Sequence, residues 1–449
     1  LSPIGHARSV VLVVALLAGC AGHESRVRGA LEALDRAGPE HAAAALNEEL
    51  EVDRSEDLPK DVGGDNALLL LDRATILQSA SRYDLSQRDF GVADKQIELL
   101  DLSRNAADDL GKYLFSDDVG RYRAPPFEKL LLNTFNMMNY LARGDLAGAR
   151  VEARRLSVMQ RFLKDQGDSA LIGLGSYLAG FTFEVSGRPD EALRYYEEAL
   201  AYRQYASLYT PLRALTGGAP RTPRIAAVVA GAEPAPTLEA SGMGEICVVV
   251  GYGRVPQKEP VRIPIGLALT LVAGHISPHD HATATKLAAK GLVTWVNFPR
   301  LGKTRGRYSV PQMWVDGRPA PLEHALDVEA EVRKEWDKHE GTIILAAITR
   351  MITRLVAGEA VGAAANAASG DKHGVVGLLA GLATTASLAA ADTPDTRAWS
   401  TLPSNIAVGR MRLAPGRYRV ELAARGRHKR YDIDVRPGSW AFVVMTALR

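Results

Sequence analysis

From residue 21 to about residue 213 the apolar residues recur at intervals of three and four. Leu68, Leu71, Ile76 and Leu77 show the period, as do Leu130, Leu131, Phe135 and Met138. That spacing puts one apolar stripe on each helix and commits this half of the chain to helices packed on one another. Short turns divide the pattern at Gly38-Pro39, Tyr83-Asp84, Gly144-Asp145 and Gly187-Arg188-Pro189-Asp190. Each follows one amphipathic segment and precedes another, which predicts helix pairs in a repeat architecture. The chain has 449 residues, enough for two or three domains, and its 47% hydrophobic and 24% charged content is that of a globular protein.

The last pair is the most specific. Gly180, Phe183, Gly187, Ala192, Tyr196 and Ala199 fall at the spacings of a tetratricopeptide repeat, and residues 189–200 resemble its second helix. Gly180 and Ala192 are small enough to let two antiparallel helices approach, Tyr196 and Phe183 fill the space beside them, and Glu197 and Glu198 are expected to face water. The preceding pair matches at Tyr140, Gly144, Asp145 and Ala149, but its turn lies further away than the repeat length of about 34 residues. Gln204 stands where the repeat usually carries proline. A generic helical bundle is the other reading. The resemblance implies a scaffold that binds a protein or peptide on its concave face.

Residues 216–244 read as a linker: Gly217, Gly218, Pro220, Pro223, Pro234 and Pro236 interrupt the pattern. Residues 245–449 then form a β-rich domain. Glu245–Val250, Val261–Ile263 and Leu292–Val296 are strand candidates, and Tyr308 to Val315, Asp316-Gly317 and Arg318 onward form a hairpin with a primed turn. A helical hairpin is inserted at 327–391; its first arm runs, with a break, to about Ala368, and its second is Val375–Ala391. Strands return at Ala407–Leu413, Tyr418–Ala423, Tyr431–Val435 and Trp440–Leu448, a spacing that suggests a small sandwich. Leu413-Ala414-Pro415-Gly416-Arg417-Tyr418-Arg419-Val420 with Pro437-Gly438 resembles the extracytoplasmic module called PEGA. The expected fold is therefore α+β and multidomain: a tetratricopeptide-like α-solenoid over 20–215, then a β-sandwich-like domain with an inserted helical hairpin.

Ahead of all this lies the apolar run Val10–Ala18, preceded by His6 and Arg8 and closed by Leu17-Ala18-Gly19-Cys20. A charged start, a short apolar core and small residues before a cleavage point make residues 1–19 a signal peptide, too short to span a bilayer. Leu-Ala-Gly-Cys resembles the lipobox of bacterial lipoproteins, which implies that Cys20 is acylated and becomes the first mature residue. Ala21, in place of aspartate, resembles lipoproteins released to the outer membrane, on its periplasmic face. Only two cysteines are present, so if Cys20 carries lipid Cys247 has no disulfide partner, and in its apolar run it reads as a buried small hydrophobe. A net charge of +2 gives no nucleic-acid footprint. The order of parts resembles a family of uncharacterised bacterial lipoproteins. Residues 251–259 (GYGRVPQKE) and 395–403 (DTRAWSTLP) carry that resemblance, which brings no activity with it.

Candidate chemistry is sparse. His275, His279 and His281 cluster with Asp280, and imidazoles with a carboxylate bind zinc. No further ligand set follows at a recognisable spacing, and on the helix that Ser277-Pro278 would start, His279 and His281 lie about 200 degrees apart. Gly302-Lys303-Thr304 lacks the earlier glycine of a phosphate loop, and Gly251-Tyr252-Gly253 lacks the third glycine of a dinucleotide site. Arg425, Arg427, Lys429 and Arg430 form a basic turn that reads as a solvated hairpin tip or a contact to anionic lipid or glycan. Residues 374–391 carry no charge and repeat small residues, fit for close packing against Arg350 and Arg354's helix or for insertion in a bilayer. The expectation is a lipid-anchored envelope scaffold, not an enzyme and without cofactors, that binds an envelope protein or peptide on its helical repeats. The alternatives are a metal-dependent hydrolase at the His275 region and an assembly subunit that inserts Gly374–Ala391.

Overall fold

The computed structural model describes residues 23–101, 122, 124–165, 170–217, 222–271, 273, 278–289, 295–304, 309–369 and 394–449. The signal-peptide run, Cys20, His275 and the run 374–391 lie outside them.

The first half stacks four antiparallel helix pairs among the described residues: α1 (His23–Arg36) with α2 (Pro39–Glu49), α3 (Asp65–Ser79) with α4 (Tyr83–Asp101), α5 (Pro126–Ala142) with α6 (Leu146–Asp165), and α7 (Leu171–Glu184) with α8 (Pro189–Leu200). The last three pairs share one turn. A residue with positive φ (Ser81 at 62°, Gly144 at 72°, Gly187 at 69°) is followed by an amide that reaches back five residues, Arg82 to Leu77, Asp145 to Tyr140 and Arg188 to Phe183. This satisfies carbonyls left open at the helix end. At the second site the left-handed residue is Ser81, and Tyr83-Asp84 already belong to α4.

Close approach follows the expected Gly180 and Tyr196 in the last pair, while in the pair before it the close residue is Gly148, which the repeat spacing does not single out. A Cβ on Gly180 would stand 2.5 Å from the Tyr196 ring, and one on Gly148 would stand 2.1 Å from Tyr140. We expect Gly180→Leu to cost about 1–3 kcal/mol by overpacking. Arg154→Gln, on the exposed side of α6, should stay within about 0.5 kcal/mol. Equal thermal midpoints for the two variants would refute this contact. Glu197 departs from expectation. It is partly buried and accepts from Thr222 Oγ1 at 2.5 Å and from the Ile225 amide at 3.0 Å. It thereby caps a short helix, Pro223–Val229, and these hydrogen bonds, against the opposing effect of burial, hold its carboxyl below the usual range. Among its described residues the stretch 216–244 thus holds two short helices, the second at Leu238–Ser241. Pro223 sits at a first helical position, where its missing N–H costs nothing.

The second half is built on ten strands among the described residues. One sheet has the order β10 (Trp440–Ala447), β1 (Gly244–Tyr252), β7 (Asn405–Leu413), β6 (Glu323–Asp327), with β1 parallel to β10 and antiparallel to β7. A second has the order β5 (Arg318–Ala320), β4 (Gln312–Val315), β8 (Gly416–Ala424), β9 (Arg427–Val435). The four C-terminal strands are therefore shared between two sheets. β4 and β5 turn at Asp316 and Gly317, both at positive φ, as a primed hairpin requires.

β1 is buried along its whole length. Ile246, Val248 and Val250 meet Val420 and Leu422 of the second sheet, while Cys247 and Val249 join the core of the helical half. A strand buried on both faces has no polar side to alternate with, so its apolar run is continuous. The first helices of the last three pairs, α3, α5 and α7, lie on this sheet. Phe181 of α7 contacts Trp440 and Phe442 of β10 at 6.0 and 5.6 Å between ring centroids. Tyr83 donates to the Val444 carbonyl at 2.9 Å. Arg410 of β7 reaches Glu184 of α7 at 3.0 Å and Tyr196 of α8 at 2.8 Å, and also pairs with Glu245. α3 from Ala67 to Ser79 and α7 from Leu171 to Phe183 are consequently buried all round. The inner surface of the helix stack is filled by the chain's own sheet.

A smaller lobe projects from this body. β2 (Lys258–Pro264) pairs with β3 (Trp295–Leu301), and the helices Ile265–Leu271 and Pro278–Ala289 pack with them on the long helix Val328–Ser369. Ile265, Ala268, Val296, Phe298, Trp336, Ile344 and Ile348 form its own core. The long helix is unbroken over 42 residues, about 63 Å at 1.5 Å per residue. Among the described residues no helix is long and apolar enough to cross a membrane.

Candidate functional site

The two stretches 251–259 and 395–403 come together. The Val255 amide donates to the Leu402 carbonyl at 2.9 Å, Ser404 Oγ to the Tyr252 carbonyl at 3.2 Å, and Lys258 Nζ to the Arg397 carbonyl at 2.9 Å. Both then dock on the helical half. Arg254, 2% exposed, places Nη2 between the carboxylate oxygens of Asp35 at 2.9 and 2.7 Å. Arg397 holds Asp395 through Nε and Nη2, each at 2.9 Å, and Asp65 through Nη1 at 3.0 Å. Such forked, charge-assisted bonds fix orientation as well as distance.

Trp399 is the plug of this joint. It is 1% exposed, meets Phe90 and Phe135 edge-on at 5.7 and 5.8 Å, and donates from Nε1 to Thr75 Oγ1 at 2.9 Å. Two residues on, Thr401 gives its amide and its hydroxyl to Asp72 Oδ1, both at 2.8 Å. The other Asp72 oxygen lies 3.2 Å from Nε2 of His23, and both residues are buried. The polar groups of 395–401 are thus met by α3, which carries Asp65, Asp72 and Thr75.

Beside Trp399 a small cleft of about 40 Å³ opens between the two halves and the lobe, lined by Phe127, Glu128, Lys258, Val332, Trp336 and Trp399 among others. Glu128 accepts from Tyr122 at 2.6 Å and from the Trp399 amide at 3.3 Å, and burial raises its carboxyl above the usual range. Burial lowers the Lys258 ammonium, opposed by Asp395 and Glu128. The arrangement is a charged seam sealed by aromatic side chains, with Lys258, Glu128 and Glu335 on the cleft wall.

The sites expected from sequence fare differently. Cys20 and His275 lie outside the described residues. His279 and His281 are exposed on the helix Pro278–Ala289. Among the described residues no three His, Cys, Asp or Glu side chains are grouped to hold a metal. Cys247 is fully buried in β1, and burial pushes its thiol far up. The basic turn is no free tip: Arg427 donates to Ser79 Oγ at 2.9 Å and Lys429 to the Ser79 carbonyl at 3.3 Å, so both cations sit at the C-terminal end of α3. Burial and Arg427 bring the Lys429 ammonium down to about 8. Sequence reasoning missed Asp72 and Thr75. The signal was Asp72-Arg73, two charged residues directly after four leucines on a helix with no polar face.

The chain matches no family model, no curated protein and no solved structure.

Proposed function

We propose that the protein is a lipid-anchored scaffold of the cell envelope, held at the outer membrane through acylated Cys20, with tetratricopeptide-like helix pairs that bind a protein partner and a sandwich-like β half that braces them. The lipobox carries this reading. Its context supports it: His23, three positions after Cys20, is already buried against Asp72. Cys20 and His23 are at most about 11 Å apart in an extended chain, so an acyl anchor would hold the body directly against the bilayer. The partner surface belongs to the outer helices, because the inner face holds the sheet. On α6 the exposed Val151 (46%) and Val158 (67%) share a face with the exposed Arg154. An apolar stripe with basic flanks suits an acidic amphipathic partner.

Cys20→Ser in the producing bacterium tests the reading. Each buried methylene of an acyl chain contributes about 0.8 kcal/mol, so several chains anchor effectively permanently. The wild type should fractionate with the outer membrane, and the variant should be soluble or retain its leader. Identical fractionation and migration of the two would contradict the proposal.

A further inference from the structure

The lobe exposes an apolar face on the side away from its own core. Leu267 and Leu271 are 50% and 52% exposed and lie one turn apart on the helix Ile265–Leu271, whose other face (Ile265, Ala268, Leu269) is buried. Trp295 is 46% exposed. Its register partner is Pro264, the residue immediately before that helix, so Trp295 lies at the end of the ribbon from which the helix starts. The Arg262 guanidinium stands 5.5 Å from the Trp295 ring centroid. Residues 260–271 and 295–301 contain Arg262 and Arg300 and no aspartate or glutamate.

We propose that this face of the lobe rests on an anionic lipid bilayer, with Leu267, Leu271 and Trp295 in the interface and Arg262 on the headgroup phosphates. Tryptophan with a guanidinium over its ring face, near leucines on the helix that follows, suits an interface between hydrocarbon and water. Arg300 stands opposite the exposed Glu259, so the exposed Arg262 beside Trp295 is what gives the patch the sign opposite to that of an anionic leaflet. The proposal rests on the anchored reading for its geometry. Acylated Cys20, three positions before the buried His23, would keep the body at the surface, and a second, weaker contact would then fix its orientation through high effective concentration. The lobe and the tether are linked through the joint. Trp336 of the lobe lines the same cleft as Trp399, two residues from Thr401, which binds His23's partner Asp72.

The test uses residues 21–449 purified without acyl chains, so it is independent of whether Cys20 is modified. The probes are vesicles of phosphatidylethanolamine with phosphatidylglycerol, and vesicles of phosphatidylcholine. The unmodified chain should sediment with the phosphatidylglycerol vesicles. The Leu267→Asp/Leu271→Asp pair and Trp295→Ser should each weaken that partitioning by about tenfold or more, and Arg262→Glu should abolish the preference for phosphatidylglycerol. All four positions are exposed, and unchanged circular dichroism checks that the variants fold. Failure of the wild type to bind either vesicle, equal partitioning of wild type and variants, or a dimer in solution that Leu267→Asp dissociates would each overturn the proposal. A failure of the anchor itself is read separately, from Cys20→Ser in cells.

Discussion

Trp399→Ala is expected to lower the unfolding free energy by about 3–5 kcal/mol, the range for emptying a large buried aromatic site. The residue is fully buried between Phe90 and Phe135, so truncation leaves a cavity that two helices and a strand connection cannot close without moving. It also strips Thr75 of its indole donor. The cost should fall on the joint between the halves and not on one helix. Denaturant midpoints followed by far-UV circular dichroism give the magnitude. The exposed Trp295→Ser serves as control and should stay within about 0.5 kcal/mol. A Trp399→Ala midpoint indistinguishable from that control would remove Trp399 from the account.

The second large effect is a pH dependence centred on Glu152. This carboxyl on α6 is 2% exposed, accepts from Asn133 at 3.0 Å and Asn136 at 3.2 Å, and lies 3.5 Å from Arg155. Asp94, also buried, faces it across Arg155. Burial outweighs Arg155 and the two amides and raises the carboxyl to about 7. The unfolded group titrates near 4.5. Between those values the folded protein binds more protons than the unfolded one, so this group's contribution is full below about 4.5 and is lost as pH rises through 7. A shift of that size corresponds to about 3 kcal/mol. Glu152→Gln keeps an acceptor for the asparagines and has no charge to desolvate. Relative to wild type it should therefore gain about 2–3 kcal/mol between pH 5 and pH 8. Thermal midpoints of both proteins at the two pH values give the double difference, which cancels every other titrating group. A double difference of zero or of opposite sign would show that Arg155 and the amides hold Glu152 ionised.

Much of the local structure was legible in the sequence, because local signals determine it. The three-and-four spacing placed the helix pairs, Asp316-Gly317 placed a primed turn, and the unbroken run at 245–250 marked a strand with no wet face. The long-range pairing was not legible. β1 and β10 are parallel partners nearly two hundred residues apart, and nothing in the period of either strand names the other. The same gap hid the filling of the inner helical face. An apolar helix reads alike whether a peptide or the chain's own sheet covers it, and only burial all round α3 and α7 distinguishes the two. Proline misled at 216–244, where Pro223 starts a helix that Glu197 caps. For the joint, residues 395–403 stood out, but their partners were invisible because Asp65, Asp72 and Thr75 lie more than three hundred positions away.

Helix stack and sheet are one body joined through residues 395–404. Hydrogen exchange read by mass spectrometry on residues 21–449 carrying Trp399→Ala tests it most directly, because exchange reports the opening of each element separately. Protection should fall together in peptides from α3, β1 and β10 relative to wild type. Loss of protection confined to residues 394–404, with α3 and the sheet unchanged, would contradict it.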